Sequence, residues 1–287
     1  MDRPYARVPI GRGRAVTLWC EDAVPGLGRR VPRHRTDVVV TSPPYNLGVR
    51  YRSYADRRPR EQYVRWLGSV AAAVDGVLAR DGSFFLNVGG RPTDPWLPWD
   101  VAREVGRLFV LQNVIHWVKS IAIDRDRAFG HYKPLVSDRY LHGAHEYVFH
   151  FSRRGDVRID RLALGVAYQD KSNVGRWRRA RTERRCRGNT WFLPYATIQE
   201  RARDRPHPAT FPPELPEWCL RLHGLARVRR AVDPFVGIGA SAVAAARCGV
   251  NFVGFDLDRG YLGVAADRVR AERRARITGE RSLRPGT

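Results

Sequence analysis

Lysine is nearly absent: Lys119, Lys133 and Lys171 are the only three in 287 residues, against 51 Lys and Arg together. Basic charge is therefore carried by arginine, whose planar fork suits bidentate contact with phosphate or carboxylate. GC-rich coding would explain the choice of arginine, but not an excess of 51 basic over 29 acidic side chains and a formal net charge of +22. That balance argues against an acidic small molecule as the main partner and favours a polyanion such as nucleic acid. Cysteine is scarce too. Cys20, Cys186, Cys219 and Cys248 form no Cys-x-x-Cys pair and stand at no metal-ligand spacing to histidine, which predicts reduced thiols and no metal site. Met1 to Arg14 carry no apolar targeting run, and no apolar stretch reaches membrane-spanning length, so a cytoplasmic protein with no membrane partner is expected. The length suits one large domain, or one domain with an insert, better than two equal ones.

What the chain does have begins at Thr41-Ser42-Pro43-Pro44-Tyr45-Asn46, directly after the apolar run Val38-Val39-Val40. Each proline fixes its own φ and pushes the residue before it toward extended geometry, so neither a strand nor a helix continues through the pair. A hydroxyl, two rigid carbonyls and an aromatic ring thus stand at a strand end, where α/β sheets place ligands. This set suits a planar base with an exocyclic amino group, whose nitrogen is a poor nucleophile until acceptors hold its hydrogens. Ser42 Oγ and the Pro43 carbonyl are the expected acceptors, Tyr45 the stacking ring and Asn46 a nucleic-acid contact. A base inside a duplex must be flipped out to reach them. Ser42, Pro43, Pro44 and Tyr45 are accordingly the candidate catalytic residues. Ser-Pro-Pro-Tyr also occurs as an ordinary strand-ending turn, so a second site must support the first.

Residues 14–20 and 37–41 read as strands, and the spacing of Tyr63, Leu67, Val70, Val74 and Val77 predicts a helix closing at Asp81-Gly82. Further strands are expected at 83–88, 108–118 and 146–151, with a loop over 120–145 placed to cover a site. From Gly155 to Asp204 periodicity fades, while Arg176, Arg178, Arg179, Arg181, Arg184, Arg185 and Arg187 crowd together near Trp177 and Trp191. Such a run is usually a solvated face; interleaved with aromatics between core segments, it reads as an inserted nucleic-acid contact surface. His116, His142, His145 and His150 read as structural histidines rather than general bases.

The second site lies near the C-terminus. Ala231-Val232 reads as a strand, Asp233-Pro234-Phe235-Val236-Gly237-Ile238-Gly239 as a glycine turn opening a helix over 240–248, and 251–255 as a strand ending at Asp256. Strand, glycine turn, helix, strand and acid make half of a Rossmann-type unit. The glycines let the backbone approach a ligand, the helix start favours its carboxylate or phosphate, and Asp256 is placed for ribose hydroxyls. A NAD-dependent oxidoreductase would share these features, but Gly239 is followed by Ala240, Ser241 and Ala242, so the third glycine of its fingerprint is missing. A catalytically silent nucleic-acid-binding protein is the other alternative. Only residues 257–287 follow Asp256, so the rest of a parallel sheet must come from upstream. The expected fold is a circularly permuted, Rossmann-like doubly wound α/β sheet, with a catalytic half at 1–154, an inserted recognition region at 155–204 and a cofactor half at 205–287.

With both sites in view, the chain resembles the beta class of DNA amino-methyltransferases, S-adenosylmethionine enzymes whose Ser/Asp-Pro-Pro-Tyr motif precedes a Phe-x-Gly-x-Gly motif. Glu21-Asp22, Thr41 to Asn46, Gly82 to Gly90, His145-Glu146-Tyr147, Gly188-Asn189-Thr190-Trp191, His207 to Pro212, Asp233 to Gly239 and Gly254 to Asp256 follow in the family's order. The resemblance implies a methyltransferase sheet and S-adenosyl-L-methionine as cofactor. Asp233, Phe235, Gly237, Gly239 and Ser241 would surround its methionine part, with Thr41 also in the site. Asp256 would take the ribose hydroxyls, Asp22 would lie near the adenine, and Phe211 would wall the pocket. Ala240 stands where the family often has Thr, leaving the cofactor carboxylate to Ser241 and backbone N–H groups. In the family, Ser at the first motif position goes mainly with cytosine and Asp with adenine. The implied reaction is therefore methylation of cytosine N4 in DNA, with adenine N6, or cytidine N4 in ribosomal RNA, as alternatives. A homodimer that enlarges the DNA contact and a restriction endonuclease partner are further expectations.

Overall fold

A computed structural model describes residues 3–130, 136–172, 174, 183–194 and 210–278. Its strands are β1 (Ala6–Gly11), β2 (Arg14–Cys20), β3 (Thr36–Thr41), β4 (Leu78–Val88), β5 (Val110–Val118), β6 (Ser120–Ala122), β7 (Ala128–Gly130), β8 (His145–Ser152), β9 (Val166–Ala167), β10 (Arg184–Arg185), β11 (Thr190–Phe192), β12 (Arg230–Asp233) and β13 (Asn251–Asp256). The α-helices are α1 (Ala23–Arg30), α2 (Arg60–Val77), α3 (Leu97–Val105), α4 (Glu214–His223), α5 (Ala240–Cys248) and α6 (Arg259–Thr278).

The run before Ser42 is apolar throughout because both of its faces are covered. Val38 and Val40 point into a core shared with Leu215 of α4, Val243 of α5 and Leu262 of α6. Val39, one residue out of phase, packs with Leu27 of α1, Leu67 of α2 and Val101 of α3 on the opposite face. Helices therefore sandwich the sheet, the doubly wound arrangement expected from the sequence. Nine strands form that sheet in the order β1-β2-β13-β12-β3-β4-β8-β5-β11. The stretch from β2 to β4 is parallel, and β8 runs antiparallel to both β4 and β5. Strand order reverses between β12 and β3, so the crevice at their carboxyl ends is the switch point where such sheets bind ligands.

Several elements depart from the sequence reading. The helix expected to close at Asp81-Gly82 ends at Val77, where Leu78 turns extended (φ −68°, ψ 131°). Leu78 is fully buried, and the Arg153 guanidinium donates to its carbonyl at 3.0 and 3.2 Å, so the chain enters β4 without a loop. Ala79 to Gly82 become a bulge, because Thr36 pairs with Leu78 but Val38 pairs with Ser83. The strand β1 and the helices α1 and α3 had no clear sequence signal. The loop over 120–145 contains a hairpin of β6 and β7. Both ends of 155–204 are tied to the main fold: Leu164, Trp191 and Leu193 join the core beneath α4, and β11 extends the sheet beside β5. Among the described residues, no helix is long and apolar enough to cross a membrane, and no group of His, Cys, Asp and Glu could hold a metal ion.

A buried polar chain crosses the sheet at the end away from the crevice. Asn113 Nδ2 meets His150 Nδ1 at 2.9 Å, His150 Nε2 meets Ser83 Oγ at 3.0 Å, and Ser83 Oγ meets His223 Nδ1 at 2.8 Å. Burial pushes His150 down to about 3 and His223 to about 4, so both imidazoles are neutral at pH 7. Below pH 6.5 the unfolded chain takes up protons that the folded one refuses; this stability is complete above pH 6.5 and is lost as pH falls toward 4. Each histidine contributes up to about 1.4 kcal/mol per pH unit in that window. Asp233, raised by burial to about 6, acts with the opposite sign as pH falls from 6 to 3.8, and Asp256 and Asp56, whose carboxyls burial also raises, act in the same sense as Asp233, all three beginning below the pH at which the histidines do. The melting temperature is therefore expected to be lower at pH 5 than at pH 7.5. A flat or inverted profile would refute the neutral pair.

Candidate active site

The carboxyl edge of the sheet brings together residues from four strands and their exits. Asn87 lies one residue before the end of β4, Glu146 lies at the start of antiparallel β8, and Lys119 follows β5, so all three reach the edge from which Ser42 emerges. Pairing of β5 with β8 sets Trp117 opposite Glu146, and pairing of β4 with β8 sets Asn87 opposite Val148. Ser42 Oγ lies 2.7 Å from the Tyr45 hydroxyl, which donates to Glu146 Oε2 at 2.8 Å. Asn87 Nδ2 donates to the Tyr45 oxygen at 2.6 Å and to Glu146 Oε2 at 2.8 Å, with a longer contact to Ser42 Oγ at 3.4 Å. Lys119 Nζ sits 3.0 Å from Glu146 Oε1. Gly89 leaves room for this cluster, since a Cβ there would stand 2.9 Å from the Tyr45 ring and 3.1 Å from Glu146 Cγ.

The cluster has a definite polarity. A carboxylate only accepts, so the single proton of the Tyr45 hydroxyl goes to Glu146. The Tyr45 oxygen must then accept from Ser42 as well as from Asn87. The Ser42 proton is committed inward, and apart from the long Asn87 contact its lone pairs are left for another donor. Pro44 is braced from below by the Tyr63 hydroxyl, which donates to its carbonyl at 2.7 Å. The Pro43 carbonyl takes no hydrogen bond from the described residues. Asn46, with φ +59°, uses both ends of its amide on the Arg58 backbone, at 2.7 Å each, and so shapes the loop.

These groups line one wall of a cleft of about 300 Å3. Of the cofactor residues expected from the sequence, Asp22, Phe211, Phe235, Gly237 and Asp256 line the same cleft, whereas Thr41, Asp233, Gly239 and Ser241 lie behind it. Asp233 is the brace. Its buried carboxylate accepts from Thr41 Oγ1 at 2.6 Å, from the Phe235 N–H at 2.9 Å and from the Ser241 hydroxyl, tying the ends of β3 and β12 to the start of α5. Gly239 is required by packing as well as by its φ of +82°, because a Cβ would stand 2.7 Å from that of Ala265. Asp256 accepts from the N–H groups of Gly237 at 3.0 Å and Asp258 at 2.8 Å, while burial raises its carboxyl. Asp22 caps α1 by accepting from the Val24 N–H at 2.8 Å.

Sequence reasoning left out Tyr51, Tyr54, Arg58, Trp66, Asn87 and Glu146, all of which line the cleft. Glu146 was visible only as part of His145-Glu146-Tyr147, and Asn87 only as part of the stretch Gly82 to Gly90, with no role attached to either. Of the arginine run, Arg176, Arg178, Arg179 and Arg181 lie outside the described residues. Arg184 and Arg185 are exposed on β10. Arg187 is a packing residue, stacked on Trp218 at 4.4 Å and donating to the Leu164 carbonyl at 3.1 Å.

A family model described as DNA methylase matches residues 36–267, most of the chain and both of its motifs. The chain belongs to this DNA methylase family. Among its relatives, the type II methyltransferase M.BglII of Bacillus subtilis is 24% identical over 251 residues, covering 82% of this chain and 64% of that protein. The DNA adenine methyltransferase YhdJ of Escherichia coli is 22% identical over 265 residues, covering 89% and 83%. Among solved structures, PvuII DNA methyltransferase (cytosine-N4-specific) superposes with a TM-score of 0.67 at 18% identity, over 97% of this chain and 96% of that one. The Thermus thermophilus protein TTHA0409, complexed with S-adenosyl-L-methionine, gives 0.56 at 21% identity, over 89% and 93%.

The family's cofactor is S-adenosyl-L-methionine, and the cleft suits it. In a protein of net charge +22, the described lining residues carry the acids Glu21, Asp22, Glu146, Asp256 and Asp258 and only one cation, Arg58. A sulfonium, an ammonium and ribose hydroxyls are welcome among carboxylates; the pyrophosphate of a dinucleotide is not. The rings of Tyr51, Tyr54, Trp66, Phe211 and Phe235 offer flat apolar walls to an adenine.

Proposed function

We propose that this protein methylates the exocyclic N4 amino group of a cytosine flipped out of duplex DNA, by direct in-line transfer. The observation that carries the reading is the polarity of the Ser42 cluster, which leaves Ser42 Oγ as an acceptor in the same cleft as the acidic cofactor pocket. Two acceptors, Ser42 Oγ and the Pro43 carbonyl, hold the two amino hydrogens. The nitrogen lone pair is thereby drawn out of conjugation and toward the methyl group. S-Adenosyl-L-methionine supplies that methyl group already activated on a sulfonium, so no cysteine nucleophile is required, and none of the four cysteines lines the cleft. The chain's own contribution is alignment and acceptance of hydrogen bonds from the amino group; as the N–C bond forms the S–C bond breaks, the cofactor leaves as a neutral thioether, and the methylated nitrogen gives up one proton to water. Asp256 holds the ribose hydroxyls and Asp22 the adenine end.

Cytosine is favoured because Ser occupies the first motif position, where the family's adenine enzymes mainly carry Asp. DNA is favoured by the family. The test is to incubate the purified protein and labelled cofactor with unmethylated genomic DNA and with ribosomal RNA, then identify the labelled nucleoside by mass spectrometry. N4-methylcytosine from DNA is expected. N6-methyladenine would overturn the base, and label confined to RNA-derived cytidine would overturn the polymer.

A further inference from the structure

A second, strongly basic cleft lies behind the catalytic turn. Asn46, Gly48, Arg57, Arg58, Pro59 and Arg91 line it, and no acid is among them. Its wall is a closed loop. The Asp56 carboxylate, 2% exposed, accepts from the N–H groups of Asn46 at 2.8 Å, Leu47 at 3.0 Å and Val49 at 3.0 Å. The Asp56 carbonyl takes the Gly48 N–H at 2.9 Å. Asn46 brackets the Arg58 backbone from the other side, donating to its carbonyl and accepting from its N–H. The backbone donors of this loop are thus turned inward onto one buried carboxylate, and the side chains of Arg57 and Arg58 are carried outward on a rigid base.

The nearby acids are already committed. Asp94 and Asp100 both pair with Arg60, and Asp56 is buried under its own loop. Arg57 is exposed and forms no ion pair among the described residues. Arg91 is likewise without a carboxylate partner there and donates to the Leu47 carbonyl, which holds it beside the loop. Arg58 lies over the rings of Trp66 at 4.8 Å and Tyr54 at 5.3 Å, and it lines both this cleft and the methyl-transfer cleft. Uncompensated guanidinium groups on a rigid loop suit an anion with several oxygens.

We infer that this cleft holds the phosphodiester backbone of duplex DNA beside the flipped nucleotide, chiefly through Arg57 and Arg91. The assignment rests on the nucleic-acid reading of the adjoining cleft. A flipped base turns about its own backbone, so the phosphates on either side of it are drawn to the mouth of the pocket that takes the base. Groups that receive those phosphates must flank the catalytic turn and be as firmly placed as the turn itself. The loop from Asn46 to Arg58 meets both conditions, being continuous with Tyr45 and tied down by Asp56. These contacts carry no sequence information; they set where the strand lies.

The test measures binding of the full chain to a fluorescent duplex of generic sequence over a range of salt. Each phosphate contact contributes about 0.9 to the slope of log affinity against log salt. Arg57→Gln is expected to lower that slope by about one, and Arg57→Gln with Arg91→Gln by about two, weakening binding alike on all duplex sequences. Affinity for S-adenosyl-L-methionine and the melting temperature are expected to be unchanged in Arg57→Gln, which loses no hydrogen bond within the protein. Slopes equal to wild type in both variants would overturn the inference. A change seen with a ribosomal RNA fragment but not with duplex would overturn its assignment to duplex DNA. If the wild type methylates no cytosine but the slopes fall as stated, the phosphate site stands and the methyl-transfer reading fails. Normal cytosine methylation with unchanged slopes would sink this inference alone.

Discussion

Ser42→Ala is expected to lower the rate of methyl transfer by about 10²- to 10³-fold, the range found when one preorganised hydrogen-bonding partner of a transition state is removed. Affinity for S-adenosyl-L-methionine should stay as in the wild type, because the Ser42 hydroxyl meets Tyr45 and Asn87 and takes no part in the hydrogen bonds that join Asp233 to Thr41 and Ser241. The loss arises in the chemical step. Without Oγ, one amino hydrogen has no acceptor and the nitrogen lone pair remains conjugated with the ring. Single-turnover rates with labelled cofactor, alongside calorimetric titration of the cofactor, separate the two effects. A single-turnover rate within about threefold of wild type would remove Ser42 from the chemistry, given the expected size of the effect.

Glu146→Gln probes the polarity that prepares Ser42, and a fall in kcat of up to about 10²-fold is expected, the scale of a misplaced reacting group. Glutamine has a donor where glutamate has only acceptors. Its amide can donate to the Tyr45 oxygen, which releases the Tyr45 proton toward Ser42. Ser42 then accepts from Tyr45, and its own proton turns toward the base, where it opposes an amino hydrogen instead of receiving it. Glu146 acts through Tyr45 and is a positioning residue, so its signature is a fall in kcat with KM for DNA and cofactor affinity little changed. Lys119 loses its partner at 3.0 Å in the same variant, which makes a lower melting temperature a second expected result. Tyr45→Phe removes the relay oxygen itself and should show the same kinetic split. Full kcat in Glu146→Gln would rule out the polarity argument even if Ser42→Ala behaves as expected.

Much of the frame was readable because its signals are local. The helix α5 begins and ends where its glycines predict, with Gly239 at one end and Gly249, at φ +63°, at the other. The strand β13 ends at Asp256 as expected. Elements stabilised by distant packing were not readable. The strand β1 contains Pro9 and an exposed face, and it exists by pairing with β2 at the sheet edge. The helix α1 carries Pro25, Gly26 and Gly28, a poor helical sequence, and is held by the Asp22 cap and by burial of Leu27.

The sequence by itself determined both ends of the site: a Pro-Pro turn with Ser42 and Tyr45 after one strand, and a glycine turn with Phe235 and Gly237 before one helix. In each case the chemistry sits within a few residues of the signal that shapes the backbone. Tertiary structure alone decided which strands meet at the carboxyl edge and which way their side chains turn. It sent Thr41, Asp233 and Ser241 inward as a brace, since their polar groups satisfy one another beneath the cleft. It also brought Asn87 and Glu146 to Tyr45, and Lys119 to Glu146, through the antiparallel insertion of β8 between β4 and β5. Register between strands far apart in the chain is set by packing on both faces of the sheet, and no short motif encodes it.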